Sequence, residues 1–292
     1  MPRTPAGLVL AEQQPPSPRR RRLLRALAAG LVAVLAVAGV VGVRMIRDAF
    51  NPPACWTLAP SQRVEITPEQ AGNAATIAAV AVQRGLPTRA ATIAIATAMQ
   101  ESKLRNLRYG DRDSVGLFQQ RPSQGWGTVE QILDPVYASN AFYDKLVKVK
   151  DYLTRPLTEV AQDVQRSAAP TAYAQHEDEA QPLAAALTGS APATLVCRLA
   201  QPSTRPASTA VGTALKAEFG IEPVVSGRTV TAAADGATAW AIASWAVARG
   251  DALGVIDVDA DGRSWTRADP QAWPNAIPPT TGSVVITLAA TP

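Results

Sequence analysis

Histidine is nearly absent from this sequence: among 292 residues only His176 carries an imidazole. That excludes multi-histidine metal centres, and it leaves a serine or cysteine triad one candidate base. That base is flanked by Glu177, Asp178 and Glu179 on a solvated stretch without convergent ligands. Cysteine occurs only at 55 and 197, too few for a four-cysteine zinc site. Aromatic residues are 5% of the chain and charged residues 18%, and no run interleaves Lys or Arg with aromatics as a nucleic-acid surface would. There is no internal repeat. One acidic run, Asp257-Val258-Asp259-Ala260-Asp261-Gly262, opens like a calcium loop, yet its twelfth position is Ala268 and lacks the bidentate carboxylate. A strand closed by an Asp-Gly hairpin turn accounts for the same letters. No metal or cofactor is expected.

The net charge of +4 is unevenly spread. Residues 1–50 hold eight arginines against Glu12 and Asp48, and from position 51 onward 20 basic residues face 22 acidic ones. A slightly acidic body argues against the phosphate neutralisation that nucleic-acid binding requires. Residues 1–25, Pro-rich and then Arg-rich, read as a disordered basic tail. Residues 26–43 follow, eighteen positions without a charge, just long enough as a helix to cross a hydrocarbon core of about 30 Å. The arginine cluster fixes the N-terminus in the cytoplasm. The sequence therefore predicts a signal anchor at 26–43, a single-pass membrane protein, a linker at 44–60 and an extracytoplasmic body. In such a compartment Cys55 and Cys197, which bracket one long segment, form a disulfide candidate.

Within that segment the pattern is helical. Thr67-Pro68-Glu69-Gln70 is a capping-box start with proline at the first helical position, and Gly85 ends the helix it opens. Further helices are expected at 88–102, 128–133, 138–153, 157–167 and 171–187, with no strand of ordinary length over 61–200. Residues 201–208 contain a Pro-rich linker. Beyond it, helices at 209–219 and 237–249 alternate with strand-like runs at 221–230, 255–258 and 283–288, which reads as a small α+β domain over 209–292. Its tryptophans, 240, 245, 265 and 273, supply either a small core or a face that binds glycan or cell-envelope protein partners. The expected class is mainly α: a transmembrane helix, a helical domain over 61–200 and the small α+β accessory domain.

Residues 90–127 carry the chemistry. Residues 88–100 are nearly all Ala, Ile, Thr and Met, so a helix there is apolar on every side and buried. It ends in Gln100-Glu101-Ser102. A carboxyl group at a helix C-terminus meets the negative end of the macrodipole, and burial penalises its ionised form, so both effects raise the pKa of Glu101. The loop that follows holds Asp111, Asp113, Gln119, Gln120 and, between two glycines, Trp126. These are groups that bind sugar hydroxyls and pyranose faces, although Trp126 is equally a core residue under a loop. Arg105, Arg108, Arg112 and Arg121 surround the same loop. Glycoside hydrolysis normally uses two carboxyls, so Asp111 or Asp113 is a candidate second carboxylate; if both only shape turns, Glu101 acts as acid and then as base.

Glu101-Ser102 followed by Ser114-Val115-Gly116-Leu117-Phe118-Gln119 resembles the lysozyme-like superfamily, in particular the soluble lytic transglycosylases and goose-type lysozymes, over about 61–190. The resemblance implies Glu101 as catalytic acid/base, Ser102 as the residue that orients it, and Gln119 in the sugar-binding groove. It further implies peptidoglycan glycan strands as substrate, cut at the β-1,4 bond between N-acetylmuramic acid and N-acetylglucosamine. In the lytic transglycosylase scheme the substrate's own 6-hydroxyl closes a 1,6-anhydro ring. The family's Ala-Tyr-Asn-Ala-Gly mark is not reproduced; its nearest counterpart runs from Val164 to Pro170, with Gln165 at the Asn position. The alternative of another class is a wall-glycan-binding or scaffolding protein that keeps the groove without turnover.

Overall fold

The structure is a computed structural model that describes residues 27, 30–40, 42–43, 51–58, 63–167, 171–202, 206–278 and 280–290. The chain divides into two units, Met1–Pro52 and Pro53–Pro292. In the first, the described helical residues include the run α1, residues 30–40. Among the described residues no helix is long and apolar enough to cross a membrane. This corrects the expected transmembrane anchor at 26–43: absence of charge over eighteen positions is not itself a bilayer-length helix. The expected tail at 1–25 lies outside the described residues.

The second unit corrects the expected class: it is α+β, with two antiparallel sheets among its helices. The first sheet has the order β2-β1-β3, from β1 (Ala54–Thr57), β2 (Glu65–Ile66) and β3 (Leu195–Arg198). Cys55 lies opposite Cys197 in the β1–β3 ladder, and the two form a disulfide with an S–S bond of 2.01 Å. These strands carry two to four residues each, too few for a period-2 signal. They exist because partners far apart in the chain meet.

Between β2 and β3 in the chain come α2 (Pro68–Gln83), α3 (Thr88–Ser102), α4 (Val129–Ile132), α5 (Pro135–Leu146), α6 (Leu157–Gln165) and α7 (Glu177–Leu187). The Thr67 capping box forms: Thr67 Oγ1 accepts from the Gln70 amide at 3.3 Å, and Gln70 Oε1 accepts from the Thr67 amide at 2.9 Å. Helix α3 packs against α2, α5, α6 and α7, and every residue from Ala90 to Met99 is buried. Helix α5 stops at Leu146, short of the expected 153; Lys145 in its last turn and Lys148 and Lys150 just beyond it gather like charges, and Asp151 takes a positive φ of 57°.

The remaining elements are α8 (Ser208–Phe219), β4 (Val224–Ser226), β5 (Thr229–Ala233), α9 (Gly236–Ala248), α10 (Gly250–Leu253), β6 (Val255–Ala260), β7 (Arg263–Thr266) and β8 (Ser283–Leu288). Their five-stranded sheet has the order β4-β5-β8-β6-β7. Strands β6 and β7 join through Asp261 (φ 46°) and Gly262 (φ 74°), the two left-handed residues a tight hairpin turn requires. The sequence predicts an amphipathic helix at 237–249. Instead α9 is buried on all faces from Ala239 to Ala248, because the five-stranded sheet, α2 and α7 all pack on it. Glu218 at the end of α8, 3% exposed, accepts from Trp245 Nε1 at 2.8 Å and pairs with Arg249, whose guanidinium also donates to Thr76 on α2 at 3.1 Å. A buried charge is tolerated where it is paired and hydrogen-bonded.

The Cys55–Cys197 crosslink spans a sequence separation of 142, and in the chain-entropy model closing such a loop stabilises the fold by about 5 kcal/mol. Replacing both cysteines by serine is expected to lower the unfolding free energy by between about 2 and 5 kcal/mol, read from urea midpoints at constant slope. An unchanged midpoint would show that the crosslink contributes nothing.

Candidate active site

Glu101 sits in the last turn of α3, where the helix leaves the core. Its carboxylate Oε1 accepts a 2.6 Å hydrogen bond from the hydroxyl of Tyr173, whose side chain is buried among the helices. Burial pushes the Glu101 carboxyl above its ordinary pKa, partly offset by hydrogen bonds from Tyr173 and Gln165, which favour the ionised form. Tyr173 is itself held well above the usual phenol range, by burial first and by the neighbouring carboxylate second. It therefore remains a donor to Glu101 at every physiological pH.

The helix ends abruptly. Lys103 and Leu104 both adopt left-handed backbone, with φ of 56°, which is costly for a buried Leu. The turn is held from several directions. Gln70 Nε2 donates to the Lys103 carbonyl at 3.0 Å and Asn73 Nδ2 to the Leu104 carbonyl at 2.8 Å, so the N-terminal half of α2 clamps the exit of α3. Ser102 is buried, and its hydroxyl donates to the Ala98 carbonyl at 3.1 Å and to the Leu117 carbonyl at 2.7 Å. It thus ties the end of α3 to the Gly116-Leu117-Phe118 turn and positions Glu101 through the backbone.

Two glycines make the opposite wall. A Cβ on Gly116 (φ 80°) would lie 2.7 Å from the Ile132 carbonyl oxygen, and one on Gly110 would lie 1.8 Å from Gln119 Oε1. No other residue fits at either position without displacing backbone or Gln119. Gln119, with a φ of 46°, donates from Nε2 to the carbonyls of Gly116 (3.2 Å) and Tyr109 (3.3 Å). Gln165, at the end of α6, donates to the Phe118 carbonyl at 2.8 Å.

Between these walls lies a polar cleft of about 470 Å³ that brings together Glu101, Asp111, Gln119, Trp126 and Gln165, with Arg112 and Arg121 at its edge. Other expected site residues lie elsewhere. Gln120 is 1% exposed and donates to the Ala138 carbonyl at 3.2 Å, so it belongs to the core behind the turn. Asp113 is committed: Oδ1 accepts from Arg121 Nε at 2.7 Å and Oδ2 from the Ser123 amide at 2.8 Å. The contacts with Ser123 and then Arg121 hold its carboxyl far below the ordinary carboxylate range. Asp111 is the opposite case, with its side chain 93% exposed and only a 3.9 Å contact to Arg112. Trp126 is mostly buried, with the Lys145 ammonium 3.1 Å from its ring centroid; its remaining surface faces the cleft.

Tyr173 is the partner that sequence reasoning missed. The signal was the pair Ala172-Tyr173, which repeats the first two letters of the Ala-Tyr-Asn-Ala-Gly mark a few residues beyond the segment aligned to it. Comparison with protein-family models and with curated protein sequences finds no match to this chain.

A raised folded-state pKa favours the protonated carboxyl in the folded protein. The stability it contributes is fully present below the ordinary Glu value of about 4.3 and is lost as pH rises through the raised value. Glu101→Gln keeps the Tyr173 hydrogen bond and removes that ionisation. The variant is expected to be more stable than wild type by about 0.5–2 kcal/mol at pH 8, the range typical of a single stabilising substitution, with the gap closing at pH 4. Thermal or urea unfolding at the two pH values measures it; a variant no more stable than wild type at pH 8 contradicts the assignment.

Proposed function

We propose that this protein is an extracytoplasmic peptidoglycan-cleaving enzyme, acting on the β-1,4 bond between N-acetylmuramic acid and N-acetylglucosamine with Glu101 as its acid/base. The observation that carries the reading is one carboxyl of raised pKa, hydrogen-bonded to Tyr173 at the floor of a polar cleft. Perturbed titratable groups in clefts are where acid/base work is done. The Cys55–Cys197 disulfide supports an oxidising compartment.

In the first step the Glu101 carboxyl gives its proton to the glycosidic oxygen as the C1–O bond breaks and an oxocarbenium-like centre develops. The carboxylate left behind is stabilised by the Tyr173 hydroxyl and the Gln165 amide. In the second step the same carboxylate takes a proton from the hydroxyl that attacks C1. With Asp113 held by Arg121 and Ser123, and Asp111 turned to solvent, one carboxyl performing both steps is favoured. This supports the 6-hydroxyl as nucleophile and a 1,6-anhydro product, the lytic transglycosylase outcome.

Incubation with purified peptidoglycan followed by mass spectrometry of the products tests this. Wild type is expected to release 1,6-anhydro muropeptides, and Glu101→Gln to lower turnover by a factor of about 10²–10⁴ or more. Asp111→Asn is expected to change the rate by less than about threefold, since an exposed side chain contributes little. A loss with Asp111→Asn comparable to that with Glu101→Gln, together with reducing-end products, identifies a two-carboxyl hydrolase. Binding of wall fragments without cleavage by wild type replaces the enzyme reading with a wall-binding one.

A further inference from the structure

The Glu101 cleft does not end at Trp126. A second cavity of about 590 Å³ adjoins it, sharing Gln124, Trp126, Gln165 and Arg166 with it. Its own wall adds Lys145, Lys148, Val149, Asp163 and Val164. Three cations, Lys145, Lys148 and Arg166, thus face one space. The only acid there, Asp163, is already engaged by Arg155 at 2.8 Å. Among the described residues none of the three cations is in an ion pair. Lys145 cannot swing freely into water, because its ammonium is stacked on the Trp126 ring at 3.1 Å. Burial, then repulsion from Arg166 and Lys148, lowers the proton affinity of its amine. Like charges held together in a groove repel one another unless an anion sits among them.

We propose that this cavity is a subsite for carboxylates carried on the glycan strand, and the proposal rests on the glycan-cleaving reading of the adjoining cleft. A muramic-acid strand laid across Glu101 carries such groups as substituents on every second sugar, and the shared Trp126 edge makes the two spaces one path. Two sources of the charge exist on such a strand. One is the lactyl ether carboxylate, free once the peptide is removed; the other is the set of carboxylates on an attached peptide.

The test uses the full chain carrying Glu101→Gln, so that bound strands stay intact, and measures binding calorimetrically to three ligands: a neutral N-acetylglucosamine hexamer, peptide-free strands and peptide-bearing strands. Lys148→Glu, at an exposed position, is expected to weaken binding of carboxylate-bearing strands at least tenfold while leaving the neutral hexamer unchanged. Lys145→Met, which keeps contact with Trp126 and removes the charge, is expected to act in the same direction. Weakening confined to peptide-bearing strands assigns the peptide carboxylates, weakening confined to peptide-free strands assigns the lactyl carboxylate, and weakening on both shows that the subsite takes either; each of these results supports the subsite. Unchanged strand binding in both variants overturns it and leaves the acid/base reading intact. If wild type neither binds nor cuts any of the three ligands, both readings fall together.

Discussion

Helix α3 has no face that belongs in water, and most of the architecture of the Pro53–Pro292 unit answers to that constraint. Ten consecutive buried residues, Ala90 to Met99, require neighbours on every side, which α2, α5, α6 and α7 provide. At its C-terminus the helix still has carbonyls to satisfy. The Lys103 amide donates to Met99 and the Leu104 amide to Ala98, which forces the chain through two left-handed residues and turns it out of the core. Glu101 is the carboxylate at that exit. Its position, half in the packed interior and half at the cleft, follows from where an apolar helix must stop.

The same constraint explains which groups surround it. A carboxyl at the margin of a packed core needs donors rigid enough to be present in both of its protonation states. A phenol that is buried and held far from its own ionisation serves that purpose. The alternative partners would be mobile cations, and one of them, Arg121, is occupied: it holds Asp113 in place, fixing the loop rather than the proton. One loop thereby separates its charges by task, with a structural ion pair on one wall and a titrating acid on the other.

Much of this was legible in the letters, and the remainder fails for physical reasons that differ from case to case. Glu101 stood out because a charge terminating an all-apolar helix has no solvated face to occupy, and the Thr67 capping box announces itself by local hydrogen-bond chemistry. Strands β1 and β3 were invisible because four residues carry no period, and what makes them strands is each other. The burial of α9 on every side was hidden since it depends on three separate neighbours arriving from elsewhere in the chain. The membrane anchor was over-read: an uncharged run has the composition of a span, while among the described residues no helix is long and apolar enough to cross a membrane. Asp113 shows the limit for single residues, since nothing in its neighbours reveals that Arg121 and Ser123 consume both of its oxygens.

The pairing of β1 with β3 also sets a timetable. The central strand of the first sheet is made early, and the partner that completes it follows 142 positions later, which at about 5–20 residues per second of synthesis is a delay of roughly 7–30 seconds. Throughout that interval Trp56 has no strand to shelter it on that side, and the Cys55 thiol is open to whatever other thiols or oxidants the compartment holds. Helices α2 to α7 can assemble in the meantime from contacts much closer in sequence. The first sheet therefore closes only after the helices between its strands have been made, and before the five-stranded sheet, which begins at Val224, exists.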